Sequence, residues 1–216
     1  MELFIQILLL VISYLIGSIP FGLIIGKVFK NVDIREHGSK SIGSTNAIRV
    51  LGKPLGFTVF ALDVFKGAFI IIIIRLFGLV EKGYAFDFLL FYGIAAILGH
   101  GFSIYLKFKG GKIVATSLGV VLALTPIPAI LCLIVFGITI KLTGYSALGS
   151  TFAAFTVVIS TFIMNWQNDK LLCILYALMG CLILIKHRKN YVRLLNGTEN
   201  CFKKKKQINT EEKKAE

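Results

Sequence analysis

Nearly every side chain in this sequence that could do acid–base, nucleophilic or anion-binding chemistry falls in three short stretches between long apolar runs. The first is Gly38-Ser39-Lys40-Ser41-Ile42-Gly43-Ser44-Thr45-Asn46, running on to Arg49. Its hydroxyls and amide give directional hydrogen bonds, Arg49 can grip a phosphate bidentately, and Gly38 and Gly43 let backbone N–H groups come close to a ligand. The second is Lys107-Phe108-Lys109-Gly110-Gly111-Lys112, placed just before a helix that begins near Ile113. Backbone amides at a helix start, with Lys109 and Lys112 beside Gly110 and Gly111, make a phosphate cradle. It is not a nucleotide loop of the Walker type, because Leu106 stands where that pattern needs glycine. The third is His187-Arg188-Lys189-Asn190 with Arg193 and Glu199. If the last helix continues, its periodicity puts His187, Asn190 and Arg193 on one face, with Glu199 beyond Gly197.

Each stretch also has a plainer reading. Ser and Asn make ordinary turns and caps, lysines flank spans for topology, and a lone histidine at a membrane boundary is commonly interfacial. His100 ranks below His187 on that ground, and His37 lies two residues before Ser39 with no sign of whether they meet. Asp63 and Lys66, three residues apart inside an apolar run, are expected to pair with each other near one end of their span and to support the loops. Ser150 lies where its hydroxyl could face the same site or pack between helices. The pooled loops hold many anion donors and few acids. That profile suits a site that binds a phosphorylated substrate and stabilises negative charge, with no metal and no cofactor expected.

The elements that must position these loops are membrane helices. Over 216 residues the chain is 56% hydrophobic, with a mean hydropathy of +0.81, beyond the range of a soluble globule. The first apolar run opens with Glu2, lacks a basic start and is too long for a signal peptide. Helices are expected near 3–28, 54–78, 85–106, 145–164 and 170–186, and the run 113–140 reads as one kinked span or as two hinged at Thr125-Pro126-Ile127-Pro128. The net charge of +13 reflects topology and anionic lipid, not nucleic acid: ten of the 24 Lys and Arg lie from Lys186 onward. The stretch 27–53 carries six, and 107–112 three, whereas the connections at 79–84 and 165–170 each pair one lysine with one acid. Rich loops belong inside and poor ones outside, and only the split at the prolines satisfies parity. The expectation is an all-α integral membrane protein, a compact bundle of seven spans (five as the fallback), N-terminus outside and C-terminus cytoplasmic. All three polar loops then share the cytoplasmic face. Residues 1–200 read as one transmembrane domain and 201–216 as a basic, disordered cytoplasmic tail. Cys132, Cys173, Cys181 and Cys201 show no metal-ligand spacing and read as packing residues.

These segments together resemble the bacterial membrane-bound acyl-phosphate:glycerol-3-phosphate acyltransferases. The resemblance rests on Gly17-Ser18-Ile19-Pro20-Phe21-Gly22, the loop from Ser39 to Arg49, Asp63-Val64-Phe65-Lys66-Gly67, Gly99-His100 through Thr116, and His187 to Glu199. It implies a compact seven-span fold in the bacterial inner membrane, with the active site facing the cytoplasm. It also implies transfer of a fatty acyl group from acyl phosphate to the 1-hydroxyl of sn-glycerol 3-phosphate, giving lysophosphatidic acid and inorganic phosphate for phospholipid synthesis. By the same resemblance Ser39, Arg49, His187 and Asn190 form the catalytic set. Gly38, Gly43, Thr45, Asn46, Lys109, Gly110, Gly111, Lys112, Ser150, Arg193 and Glu199 bind substrate. Membrane lipids and the enzyme that makes acyl phosphate are the implied partners. Two departures stand out: the family usually has Gly-Asn at Lys40-Ser41 and Gly at Ile113. The family's sites also lack the His–Asp pair of other glycerol-3-phosphate acyltransferases, and none is evident in the sequence. The departing phosphate is therefore the expected proton acceptor, with His187 orienting the substrate. A transporter for a phosphorylated metabolite is the alternative that the loops and spans alone leave open.

Overall fold

The computed structural model describes residues 2–77 and 85–202; the connection at 79–84 and the lysine-rich tail from 203 lie outside that range. Among the described residues there are helices and turns and no strand. Closed backbone hydrogen bonding within each helix is what an apolar surround requires.

The first apolar run is broken where the sequence suggested one helix. Helix α1 (Glu2–Ser18) and α2 (Phe21–Lys30) meet at a bend of 41°, because Pro20 cannot donate to the ladder and ends it. The polar first loop follows, and its second half is itself a helix, α3 (Ser44–Leu51), with Gly43 in extended geometry as its N-cap. Next come α4 (Lys53–Phe77) and α5 (Ala85–Gly101), the latter followed by a 3-10 turn at Ile104–Leu106. The proline pair splits the next run as expected: α6 (Val114–Leu124) stops at Thr125 and α7 (Pro126–Thr143) starts with proline in its first turn. Helices α8 (Ser146–Asn165) and α9 (Lys170–Leu195) complete the bundle.

Helix α9 runs nine residues past the span end expected at 186. His187 and Asn190 face the interior while exposed Arg188 and Lys189 face out. Exposed Arg188 and Lys189 suit a helix end that reaches a polar surface. Among the described residues five helices are long and apolar enough to cross a membrane, or six if α1 and α2 count as one bent span. Helix α6, at eleven residues, covers about 16 Å, roughly half of a ~30 Å hydrocarbon core.

Close crossings between these helices use glycine in reciprocal pairs. A Cβ on Gly17 of α1 would fall 2.1 Å from the Ala96 carbonyl oxygen, and one on Gly99 of α5 would fall 2.2 Å from that of Tyr14. Gly67 of α4 and Gly119 of α6 face Thr116 and Val64 in the same way. Backbones that close gain packing that lipid cannot compete with. The main core joins α4, α5, α6 and α9 through Ile71, Leu90, Tyr92, Val120 and Tyr176. A smaller core of Ile25, Ile34, Ala47, Leu51 and Val59 locks α2 and α3 onto α4. The polar loops are thus fastened to rigid helices at one end of the bundle.

Candidate active site

The first loop is organised by one side chain. Asn46 is fully buried, and its Nδ2 donates to the carbonyls of Ile34 (2.8 Å), His37 (3.1 Å) and Ser41 (2.8 Å). Its Oδ1 accepts from the Ser39 backbone N–H at 2.8 Å. These bonds commit the amide to folding the loop and so hold the Ser39 backbone in place. Gly38 adopts φ +58, and a Cβ there would meet Asn46 Oδ1 at 2.4 Å. Both departures from the family pattern also take left-handed backbone, Lys40 at φ 57 and Ile113 at φ 63. These are conformations in which glycine is free of cost and a β-branched residue is strained. Further out, Arg35 Nη2 donates to Asp33 Oδ2 at 2.6 Å, and that contact holds the Asp33 carboxyl down at about 2.

Arg49 projects from the last turn of α3. Its Nη2 donates to the Asn200 carbonyl at 3.2 Å, and its guanidinium lies 5.0 Å from the centre of the Phe202 ring. Phe202 in turn donates its N–H to Gly144 at the α7–α8 turn. Residues 198–202 therefore form a strap across one side of the site, a feature that no sequence signal announced. Burial pushes the Arg49 pKa down from its ordinary value, with Glu199 opposing the shift.

The second loop tucks under α5: the Gly111 N–H donates to the His100 carbonyl at 2.9 Å. Lys112 follows with its ammonium drawn toward the interior. Burial lowers its pKa to about 8, with Glu199 pulling it up and Arg193 and Arg49 pushing it down. From α9, His187 Nδ1 lies 2.9 Å from the Ile183 carbonyl. A carbonyl only accepts, so Nδ1 carries the proton, and Nε2 of the neutral ring is left as an acceptor. Asn190 Nδ2 donates to Glu199 Oε1 at 2.7 Å, and Arg193 Nε to Glu199 Oε2 at 2.7 Å. Ser150 of α8 donates to the Ser146 carbonyl at 2.9 Å and must rotate to serve an anion.

All three loops line one cavity of about 510 Å³. Ser39, Gly43, Thr45, Asn46, Arg49, Lys112, Ser150, His187, Asn190 and Glu199 reach it. The apolar side chains of Phe57, Phe60, Leu133, Phe136 and Ile140 line it as well. A narrower cleft of about 70 Å³ continues from Phe60, Val114, Leu133, Phe136 and Ser150 into the space between α6, α7, α8 and α9. The polar lining suits an anion and the apolar lining a hydrocarbon chain. Among the described residues no group of three or more His, Cys, Asp and Glu could hold a metal ion.

The family model described as glycerol-3-phosphate acyltransferase matches residues 7–197. The chain belongs to this family. The glycerol-3-phosphate acyltransferase of Acholeplasma laidlawii is 42% identical over 219 residues, covering 93% of this chain and 94% of that protein. The one from Fusobacterium nucleatum is 44% identical over 194 residues, covering 90% and 96%. Among solved structures, PlsY (YgiH), an integral membrane glycerol 3-phosphate acyltransferase in its glycerol 3-phosphate form, superposes with a TM-score of 0.82 at 36% identity, covering 92% and 96%. Like these relatives, the chain is a multi-pass membrane acyltransferase.

Five of the residues singled out from the sequence do not line the cavity of this acyltransferase: Gly38, Lys109, Gly110, Gly111 and Arg193. Lys109 is exposed. Gly110 and Gly111 shape the turn before Lys112 from below, Gly38 shapes the first loop, and Arg193 acts on Glu199. Conversely, Ser41, Ser44, Lys53, Ser146, Phe202, Asp63 and His100 reach the cavity. The serines carried a visible signal, lying within or beside the polar stretches. Asp63 and His100 also come together, His100 Nδ1 standing 3.7 Å from Asp63 Oδ1. The sequence, which separates them by more than thirty residues, gave no sign of that approach.

Proposed function

We propose that this acyltransferase moves a fatty acyl group from acyl phosphate to the 1-hydroxyl of sn-glycerol 3-phosphate, giving lysophosphatidic acid and inorganic phosphate. The observation that carries the proposal is a single cavity with both cationic and apolar lining. Arg49, Lys112 and the hydroxyls of the first loop supply its polar lining, and Phe57, Phe60, Leu133 and Phe136 its apolar lining. Glycerol 3-phosphate docks by its phosphate on Lys112, with Ser150 and Asn190 beside it. Arg49 and Ser39 serve the acyl phosphate, whose chain lies along the apolar wall. The acceptor oxygen attacks the acyl carbon while the bond from that carbon to the phosphate oxygen breaks. The hydroxyl proton passes to the departing phosphate. Acyl phosphate is a mixed anhydride with a good leaving group, so positioning and charge stabilisation supply most of what the protein must add. His187, with Nε2 as an acceptor, orients the acceptor hydroxyl.

In the same reading α6 counts as a short span, which makes seven crossings with α1 and α2 as one. The N-terminus is outside, the C-terminus and active site face the cytoplasm, and the membrane is the bacterial inner one. Residues 1–200 make the catalytic domain, and the basic tail meets anionic lipid. The substrate is an amphiphile made at the same membrane face, so contact with the acyl-phosphate-producing enzyme belongs to the proposal.

The test is phosphate release from palmitoyl phosphate by purified protein, with and without glycerol 3-phosphate. Acceptor-dependent release with formation of lysophosphatidic acid is expected. Release that ignores the acceptor, or none, sinks the proposal. His187→Gln separates the roles of that ring: a KM effect on glycerol 3-phosphate fits orientation, whereas lost turnover with binding intact makes it the base.

A further inference from the structure

Beneath the turn that carries Lys112 lies a buried polar group which the reaction as proposed leaves without a task. Asp63 of α4 is 1% exposed and pairs with Lys66 at 2.7 Å. Lys66, also buried, donates to the Ile19 carbonyl at 2.7 Å, at the break between α1 and α2. His100, at the end of α5, turns Nδ1 toward Asp63 Oδ1 at 3.7 Å. The other side of the ring meets the second loop. A Cβ on Gly111 would stand 2.2 Å from His100 Nε2, and one on Gly110 would stand 2.1 Å from the His100 carbonyl oxygen, which already accepts from Gly111 N–H. The imidazole is thus held between the Asp63 carboxylate on one edge, in contact but beyond hydrogen-bond reach, and the Gly111 backbone on the other.

A buried ion pair is a weak source of stability, since desolvation offsets most of its attraction, whereas breaking it exposes an uncompensated charge. What such a pair does supply is a fixed point. Here that point ties together the α1–α2 break, α4, the end of α5 and, through His100, the residue immediately before Lys112. Asp63 and His100 also line the cavity. A shift of the ring would move Gly111 directly, and Lys112 with it.

We propose that Asp63 and His100 are positioning residues for the phosphate of glycerol 3-phosphate: Asp63 fixes the His100 ring, the ring seats Gly111, and Gly111 sets the direction of the Lys112 ammonium. The inference rests on the reading of Lys112 as the phosphate-binding cation. Neither residue touches a reacting atom in this account, so their removal acts on acceptor affinity and not on the acyl donor or on the chemical step.

The experiment is steady-state kinetics of purified wild type, His100→Gln, Asp63→Asn, Lys112→Gln and the His100→Gln/Lys112→Gln double variant, with both substrates varied. Folding is checked by thermal melting. Asp63→Asn leaves Lys66 buried without its partner and can fail to fold. The neutral pair Asp63→Asn with Lys66→Met, which removes both charges, and His100→Gln, which changes none, then carry the test. The expected result is a rise of about tenfold in KM for glycerol 3-phosphate, the equivalent of one misplaced charge-assisted hydrogen bond. The kcat and the KM for palmitoyl phosphate stay near wild type, and the double variant is no worse than Lys112→Gln alone. Folded His100→Gln with a wild-type KM overturns the inference, as does a loss confined to kcat or an additive double variant. If Lys112→Gln itself leaves the KM for glycerol 3-phosphate unchanged, the phosphate-site reading fails instead, and the two failures are told apart by that single arm.

Discussion

If Lys112 binds the phosphate of glycerol 3-phosphate, as proposed, the affinity for this substrate depends on pH in a predictable direction. Burial lowers its pKa to about 8, and only the protonated ammonium attracts a phosphate dianion. The protonated fraction is therefore about nine-tenths at pH 7 and about one-tenth at pH 9, by simple titration about a pKa of ~8. The KM for glycerol 3-phosphate is expected to rise about tenfold over that interval, worth about 1.4 kcal/mol of binding. The acceptor's phosphate is already dianionic throughout, its second pKa being about 6, so it adds no slope of its own. Lys112→Arg supplies the control. A guanidinium stays charged across the interval, so this variant keeps a flat KM even if its value at pH 7 is worse. The assay is acceptor-dependent phosphate release at saturating palmitoyl phosphate, corrected for spontaneous hydrolysis at each pH. A wild-type KM that is flat from pH 7 to 9 would refute the assignment of Lys112. So would an Arg variant whose KM rises in parallel, because the titrating group would then lie elsewhere.

Three further outcomes follow from the packing. Asn46→Ala removes the four hydrogen bonds that shape the first loop. It should cost about 3 kcal/mol in stability and most of the turnover; a melting temperature within a degree or two of wild type would show that the loop does not depend on it. Ala154→Phe, on α8, fills the apolar cleft among α6, α7, α8 and α9, so the enzyme should prefer lauroyl over palmitoyl phosphate with an unchanged KM for glycerol 3-phosphate. Equal loss on both donors would place the chain elsewhere. Ile113 is buried at φ 63, so Ile113→Gly loses packing but relieves about 1–2 kcal/mol of left-handed strain, and it should melt no lower than Ile113→Ala. The usual order, Gly below Ala by about 0.5–1 kcal/mol, would show that no strain is stored there.

The convergence of the loops was legible because polar residues are scarce in this chain. In a sequence with long apolar runs, Ser39, Arg49, Lys112, His187 and Asn190 have few places to go, and the helix register of His187 and Asn190 put them on one face. The split at Pro126 was legible for the same reason that proline is a strong signal. Pro20 carried that signal too, yet the apolar run around it is continuous enough to hide the bend between α1 and α2. Helix α3 reads as loop in the sequence because four hydroxyl residues and two glycines outweigh its short amphipathic stretch. Long-range pairs left no trace: Arg49 meets Asn200, and Asp63 meets His100, through packing that no spacing encodes. The departures at Lys40 and Ile113 were visible as substitutions, but only the backbone shows that both sit at positive φ.

The broken helices bear on the chemistry as well as on the count of spans. An anion site at the lipid boundary built only from lysine and arginine would have to bury several full charges, and the lowered pKa of Lys112 shows what one such burial costs. Helix starts offer an alternative, because unpaired amides carry partial positive charge that is already part of the backbone. Gly43, Ser44 and Thr45 at the start of α3, and Ile113, Val114 and Ala115 at the start of α6, both line the cavity. Two helix starts can face one cavity only if their helices begin at its edge. Helix α3 does so because Gly43 ends the first loop, and α6 because the chain turns into helix only after Lys112. Half-length α6 is then a consequence of where it must begin, and the proline pair after it returns the chain across the bundle. In the proposed reading, the same breaks that complicate the span count bring two helix starts, with their partial positive charge, to the edge of the cavity.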